Sequence, residues 1–389
     1  MSEKKRIAVL GATGSIGKSS LDVISRAAED FEVVLLSAKS DRSGLEELSK
    51  KYPCAVCVLT EYDVINKLLS LIKDLKPDIT INGIAGAAGL KPSLAAIESG
   101  SGIALANKET IVMAGELVMR HAKEKNVNII PVDSEHSAVF HLMRAFSQMN
   151  YVYNRAVTHM NTGEKTENNA IDRIILTASG GPFRNYSFQE MEKVTVKEAL
   201  CHPTWNMGPK ITIDSASMAN KGLEIIEACR LFNIAPDKIK VVIHPQSVVH
   251  SMIHLCSGVI YAQMSNPDMR HPIHDALYWP VTAPSGLEPL NFDSLTLEFF
   301  KPDTEKFPML KYAWQAAKSG NLYPCAYNAA NETAAAAFLE EKIKFTDIPE
   351  ITENVLQSDW TGDSMSLEAI LKADVDARIA ADSFIKNNH

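Results

Sequence analysis

The densest chemistry in the sequence lies in Ala199–Glu224, ALCHPTWNMGPKITIDSASMANKGLE, which holds His202, Trp205, Lys210, Asp214, Ser215, Ser217, Asn220, Lys221 and Glu224. Ser215, Ser217, Asn220 and Lys221 read as the entrance to a helix. Free backbone N–H groups and the helix dipole favour an anion there, and hydroxyls, an amide and an ammonium suit a phosphate monoester. Glu224 follows Lys221 by about one helical turn, so both face one site. A carboxylate beside a phosphate repels it unless a cation sits between them, which points to a divalent metal. Asp133-Ser134-Glu135 supplies further ligands. Carboxylates at i and i+2 share a face of extended backbone, and close like charges need a cation or proton between them. Oxygen ligands suit Mg²⁺ or Mn²⁺, so Asp133, Glu135 and Glu224 would form a three-carboxylate site open to substrate oxygens. The alternatives are a capped surface helix with solvated charges for residues 215–224 and an N-cap box for residues 133–135.

These groups need a scaffold. Cys201–Pro209 has two prolines, a glycine and no apolar periodicity, and reads as a mobile loop. Lys210–Asp214 alternates as a strand, and the helix that follows carries Leu223, Ile226 and Leu231. At the start of the chain, a strand over Arg6–Leu10 runs into Gly11-Ala-Thr13-Gly14-Ser15-Ile16-Gly17 and then a helix from about Lys18 to Ala28. Strand, glycine turn and helix are the context in which such a loop binds a dinucleotide pyrophosphate. After the second strand, Phe31–Leu36, stand Lys39, Ser40 and Arg42, and the first acid, Asp41, comes late; this favours NADP over NAD.

The α/β alternation continues through CAVCVL, Val64–Leu75, Asp78–Gly83 and Leu90–Ser99. Strands then end at Asn107-Lys108 and at Val132, where parallel sheets bind ligands. Tyr151–Ala170 reads as a surface excursion. A strand from Ile171 ends in Ser179-Gly180-Gly181, a second phosphate cradle with Ser179 as its ligand. Val241–Met264 reads as two strands around Ser257-Gly258. His250 and His254 share a parity there but lack a third ligand, so they read as core or interface residues rather than zinc ligands. Residues 280–303 form a proline-rich linker, and the remainder, including NAANE at 328–332, is helical.

At 389 residues, 46% hydrophobic and 22% charged, the chain fits a soluble protein of two or three domains. A net charge of −8 argues against nucleic acid or an anionic membrane as partner. No apolar run reaches membrane-spanning length, and MSEKKRIAVLG enters a strand with no room for a targeting peptide, so a cytoplasmic location is expected. Six scattered cysteines fit a reducing compartment, with Cys54 and Cys57 read as buried free thiols.

GATGSIG, LANKE, PVDSEHSA, ASGGPF, HPTWNMGPKITIDSASMANKGLE, HPQSVVHSM, NPDMR and NAANE stand in an order that resembles the 1-deoxy-D-xylulose 5-phosphate reductoisomerase family over essentially the whole chain. The resemblance implies a homodimeric enzyme that uses NADPH and Mg²⁺, Mn²⁺ or Co²⁺ on a phosphosugar. It implies an N-terminal Rossmann-type domain (1–132), a central α/β catalytic domain with a dimer-forming sheet (133–279), a linker (280–303) and a small helical domain (304–389). The metal ligands would be Asp133, Glu135 and Glu224. Ser179, Ser215, Asn220 and Lys221 would hold phosphate, Lys108, Ser134 and His202 would contact the sugar, and Trp205 and Met207 would sit in a lid. Thr13, Gly14, Ser15, Ile16, Ala38, Lys39, Ser40, Asn107, Glu109 and Gly208 would line the NADPH site. Without the resemblance, a metal-dependent phosphosugar aldolase or isomerase with no net redox step and a non-catalytic dinucleotide-sensing module stay open.

Overall fold

A computed structural model describes residues 3–61, 65–157, 170–205 and 207–388, with the side chains of 147–157 excepted. Six parallel strands, β1 (Lys5–Leu10), β2 (Phe31–Ala38), β3 (Val56–Leu59), β4 (Ile79–Asn82), β5 (Gly102–Leu105) and β6 (Ile129–Pro131), form the first sheet in the order β3-β2-β1-β4-β5-β6. The order reverses between β1 and β4, and that switch opens a crevice at the carboxyl ends of the strands. Ile7, Val9 and Leu36 are fully buried on one face of this sheet, and Ile273 and Leu277 of the Arg270–Tyr278 helix join the same apolar cluster.

The second sheet is mixed. It contains β7 (Ile171–Ala178), β8 (Ile239–Ile243), β9 (Val249–Leu255) and β10 (Ile260–Met264) in the order β10-β9-β7-β8. Three strands thus occupy 239–264 where two were expected. Residues 244–248 separate β8 from β9, and Pro245 within them has no N–H for a ladder. Four helices, Met309–Ser319, Tyr323–Leu339, Asp347–Leu356 and Leu367–Asn388, close the chain as expected. Tyr323–Leu339 is the central one, and its fully buried Ala329, Ala330, Ala334 and Ala335 let neighbouring helices approach closely. The Ala219–Leu231 helix uses Gly222 for the same purpose, because a Cβ there would lie 2.3 Å from the Tyr327 hydroxyl. Its Leu223, Ile225 and Ile226 are fully buried, so truncating any one to alanine costs about 2–5 kcal/mol.

Three local expectations change. Lys210–Asp214 is helical, within Pro209–Ala216, rather than a strand. Pro209 at the first helical position and the i,i+4 ion pair of Lys210 with Asp214 outweigh the two-residue alternation. Cys54 is exposed and Cys57 half-buried, because β3 is the edge strand and starts only at Val56. The helix from Ser134 runs to Val157, so the polar excursion cannot begin at Tyr151; residues 158–169 lie outside the described residues.

Candidate active site

A cavity of about 420 Å³ opens between the first sheet, the second sheet and the 201–209 loop. Its walls bring together Lys108, Asp133, Ser134, Glu135, Ser179, His202, Trp205, Met207, Ser215, Asn220, Lys221 and Glu224, all read from the sequence as site residues. Ser15 and Ile16, from the first turn of the Ser15–Arg26 helix, reach the same cavity. That helix begins after Gly14 with no side-chain cap, so its leading N–H groups remain free for an anion.

Asp133 immediately precedes the Ser134–Val157 helix, and Glu135 lies in its first turn, so the extended i,i+2 arrangement is replaced by a helix start. Two ammonium groups join the acids. Lys108 Nζ lies 2.5 Å from Asp133 Oδ2, 3.0 Å from Glu224 Oε1 and 2.8 Å from Asn220 Oδ1. Lys221 Nζ lies 2.6 Å from Glu135 Oε1 and also pairs with Glu224 Oε2. Burial would raise the pKa of Asp133, but Lys108 and His136 outweigh it and hold this carboxyl well below its ordinary range. Glu224 is fully buried and goes the other way, raised by burial and by Asp133 and Glu135 against the pull of the two lysines. Burial opposes charge on Lys108, yet Asp133 and Glu224 keep it firmly an ammonium.

Behind this layer stands one that sequence reasoning missed. His136 Nδ1 lies 3.0 Å from Asp133 Oδ1 and 3.3 Å from Glu227 Oε2, and its Nε2 lies 3.0 Å from the Glu224 carbonyl oxygen. Glu227 is fully buried, with neither carboxylate oxygen hydrogen-bonded, and burial raises its pKa. The available signal was spacing: Glu227 follows Glu224, and His136 follows Asp133, by one helical turn. Ligand atoms of Asp133, His136 and Glu224 all lie within 4.8 Å of one another. Glu135 joins them only through Lys221. Both His136 nitrogens are engaged, by Asp133 and Glu227 on one side and the Glu224 carbonyl oxygen on the other. The donors open to an ion are therefore the carboxylate oxygens of Asp133 and Glu224 with Glu135 beside them, and hard oxygens of this kind fit Mg²⁺ or Mn²⁺.

The anion cradle differs from the expected helix entrance. Ser215 and Ser217 close the Pro209–Ala216 helix, Met218 turns in the left-handed region (φ 63°), and Asn220 and Lys221 open the next helix. Ser217 Oγ donates to the Ile213 carbonyl and does not reach the cavity. Gly181 (φ 67°) sets the Ser179 turn against Ser215; a Cβ there would lie 2.6 Å from the Ser215 carbonyl oxygen. The backbone N–H groups of Thr204 and Trp205 donate to His202 Nδ1 at 3.1 and 2.9 Å. His202 therefore carries its proton on Nε2 and donates to Ser179 Oγ, 3.0 Å away. Burial, then Arg184, lowers its pKa to about 4.

His250, read as a core or interface residue, lines the cavity 6.5 Å from Trp205 between ring centroids, with Ser265 on its Nε2. His254 stays outside, 3.3 Å from Asp172. Met269 of the NPDMR turn also reaches the cavity.

The remaining cofactor candidates do not line this cavity. Thr13 lies in the glycine turn, Ala38 is the buried last residue of β2, and Lys39 and Ser40 are exposed just beyond it. Asp41 spends its carboxylate on capping Gly44 N at 2.9 Å, and Lys39, Ser40 and Arg42 stand exposed around it at that strand end. Asn107 caps the Lys108–Glu124 helix, Glu109 lies in its first turn, and Gly208 precedes Pro209.

A glycine-turn dinucleotide fold opening onto a carboxylate–lysine cavity is the layout of a metal-assisted nucleotide-dependent oxidoreductase. Residues 7–76 and 65–115 match the family model described as 1-deoxy-D-xylulose 5-phosphate reductoisomerase, and residues 129–232 match its C-terminal domain. Residues 264–380 match a further model, the DXP reductoisomerase C-terminal domain. The chain is 45% identical over 387 residues to 1-deoxy-D-xylulose 5-phosphate reductoisomerase of Treponema denticola, covering 97% of this chain and 96% of that one. It is 44% identical over 400 residues to the protein of the same name from Pelodictyon phaeoclathratiforme, covering 98% and 100%. A solved DOX-P reductoisomerase in complex with NADPH, fosmidomycin and magnesium superposes with a TM-score of 0.88 at 38% identity, covering 98% of each chain. The Zymomonas mobilis enzyme in complex with NADPH gives 0.84 at 39%, covering 98% of this chain and 99% of that one. The chain belongs to the 1-deoxy-D-xylulose 5-phosphate reductoisomerase family.

Proposed function

We propose that this protein converts 1-deoxy-D-xylulose 5-phosphate to 2-C-methyl-D-erythritol 4-phosphate, using NADPH and a divalent metal, in non-mevalonate isoprenoid precursor biosynthesis. The observation that carries this reading is the single cavity shared by Asp133, Glu135, Glu224, the Ser179–Ser215–Asn220 cradle and the Ser15–Ile16 helix start. The reaction class is a retro-aldol and aldol rearrangement followed by reduction of the branched aldehyde. Asp133, Glu135 and Glu224 would hold the metal, which when bound supplies Lewis acidity at the ketone and neighbouring hydroxyl, as bound NADPH supplies the hydride.

The chain's own residues do the rest. Ser179, Ser215, Asn220 and Lys221 anchor the phosphate away from the reacting carbons and fix their orientation. Lys108, kept an ammonium by Asp133 and Glu224, polarises substrate oxygens as a hydrogen-bond donor. Ser134 and His202 contact the sugar, and Trp205 and Met207 cover it and exclude water. Thr13, Gly14, Ser15, Ile16, Ala38, Lys39, Ser40, Asn107, Glu109 and Gly208 form the NADPH track along the crevice of the first sheet. Residues 1–132 serve as the NADPH-binding unit and 133–279 as the catalytic one, with the Arg270–Tyr278 helix returning to the first sheet. Residues 280–303 link them to the helical unit, 304–389.

A homodimer is supported by exposed Val259, Ile260 and Tyr261 on and beside β10, an outer strand that a second copy would cover. No described helix is long and apolar enough to cross a membrane, and a cytoplasmic site of action is part of this proposal. The test is NADPH oxidation, followed by absorbance, with 1-deoxy-D-xylulose 5-phosphate and Mn²⁺ or Mg²⁺. Oxidation abolished by EDTA and restored by metal supports the reading; no oxidation under any of these conditions overturns it.

A further inference from the structure

The NAANE run at 328–332 has no part in the assignments above, yet its two asparagines, Asn328 and Asn331, are fully buried. Asn331 is fully buried and donates from Nδ2 to Asp214 Oδ1 at 2.9 Å. Asp214 Oδ2 pairs with Lys210 Nζ at 2.7 Å, and the same Nζ lies 3.0 Å from Glu109 Oε1. Glu109 Oε2 accepts from Asn107 Nδ2 at 3.0 Å, and that amide also faces the carbonyl oxygens of Ile84 and Gly86. A polar chain thus runs from the centre of the helical unit to the strand ends of the first sheet.

Its middle member occupies a particular place. Lys210 is in the first turn of the Pro209–Ala216 helix, two residues beyond Gly208, where the 201–209 loop ends. Burial disfavours its charge, and Asp214 and Glu109 outweigh that cost and raise its pKa. A second link runs parallel: Glu332 accepts from Ala87 N at 3.1 Å and from Arg378 at 2.7 Å, gripping the turn after β4 from the same helix. A buried charge chain is no better at holding elements together than an apolar contact of equal volume, but it fixes their register.

We propose that Asn331, Asp214 and Lys210 are positioning residues for the cofactor, holding the end of the 201–209 loop at a set distance from Asn107 and Glu109. The C-terminal helices thereby act on NADPH affinity without touching the nucleotide. This inference rests on the NADPH reading above.

The test compares the parent with Lys210→Met and Asn331→Ala. It measures the dissociation constants of NADPH, Mn²⁺ and inorganic phosphate for each, alongside thermal unfolding. Lys210→Met is expected to weaken NADPH about tenfold and Asn331→Ala about threefold, as for charged and neutral hydrogen bonds. Mn²⁺ and phosphate affinities stay at parental values, Lys210→Arg restores NADPH binding, and the double variant binds NADPH no more weakly than Lys210→Met alone. Parental NADPH affinity in a folded variant, parallel weakening of all three ligands, or loss of fold in both variants would each overturn the proposal. A parent that binds no NADPH would instead remove the functional reading beneath it.

Discussion

Replacing Lys108 by methionine keeps the volume and removes the cation that joins Asp133 to Glu224. At separations of 2.5 and 3.0 Å, each ion pair is worth about 5–7 kcal/mol at an effective dielectric constant of ~20, before desolvation is charged against it. The net cost of leaving buried carboxylates without their partner is about 3–5 kcal/mol. Two things relieve it: protonation of Glu224, whose pKa is already raised, or a divalent cation between the acids. The metal-free variant should therefore unfold at a clearly lower temperature at neutral pH. It should also gain more stability from Mn²⁺ than the parent, where the ammonium competes for the same oxygens; at a hundred times its dissociation constant a ligand adds about 2.7 kcal/mol. Turnover should fall at least about a hundredfold despite tighter metal binding, because a polarising donor is lost. The assay is thermal unfolding with EDTA and with Mn²⁺, paired with steady-state kinetics. Identical unfolding temperatures and identical Mn²⁺ gains in parent and variant would refute the reasoning, because Lys108 would then not lie between the acids.

Ser179→Ala and Asn220→Ala should raise KM for the phosphosugar about tenfold with kcat largely retained, each removing one phosphate hydrogen bond; an unchanged KM excludes the residue from the cradle. His202, with a folded pKa of about 4 against 6.5 when unfolded, is neutral at pH 7. The unfolded chain binds the extra proton between those values, so stability is full above pH 6.5 and falls as pH drops towards 4, by an amount that partial exposure keeps small. An imidazole titration followed by NMR should show a midpoint near 4, and a midpoint at 6.5 would mean that His202 is not buried beside Arg184. Lys39→Ala should weaken NADPH binding more than NADH binding, because only the former carries the 2′-phosphate; equal losses would place that phosphate elsewhere.

Much of the site was legible because its members are local. Gly11 to Gly14 sit between a strand and a helix, and Lys221 and Glu224 are one turn apart, so spacing alone predicts shared faces. The helix at Pro209–Ala216 was hidden because Ile211 and Ile213 alternate as in a strand, whereas the deciding forces are a proline start and the Lys210–Asp214 pair. His250 looked structural because its neighbour at the cavity wall, Trp205, comes from another segment. The layer of His136 and Glu227, and the reach of Asn331 to Asp214, join residues about a hundred positions apart. One-turn spacing ties His136 to Asp133 and Glu227 to Glu224, but nothing local ties one segment to the other; those pairings follow from how the two sheets and the helical unit pack together.

The central claim is that Asp133, Glu135 and Glu224 grip one divalent ion beside the dinucleotide crevice. Equilibrium binding of Mn²⁺, read by its electron paramagnetic resonance signal, addresses it directly in the parent and in Asp133→Asn, Glu135→Gln and Glu224→Gln. The account predicts one tight ion per parent chain and at least about tenfold weaker binding in each folded variant, with NADPH affinity intact. Parental Mn²⁺ affinity in any of the three would contradict it.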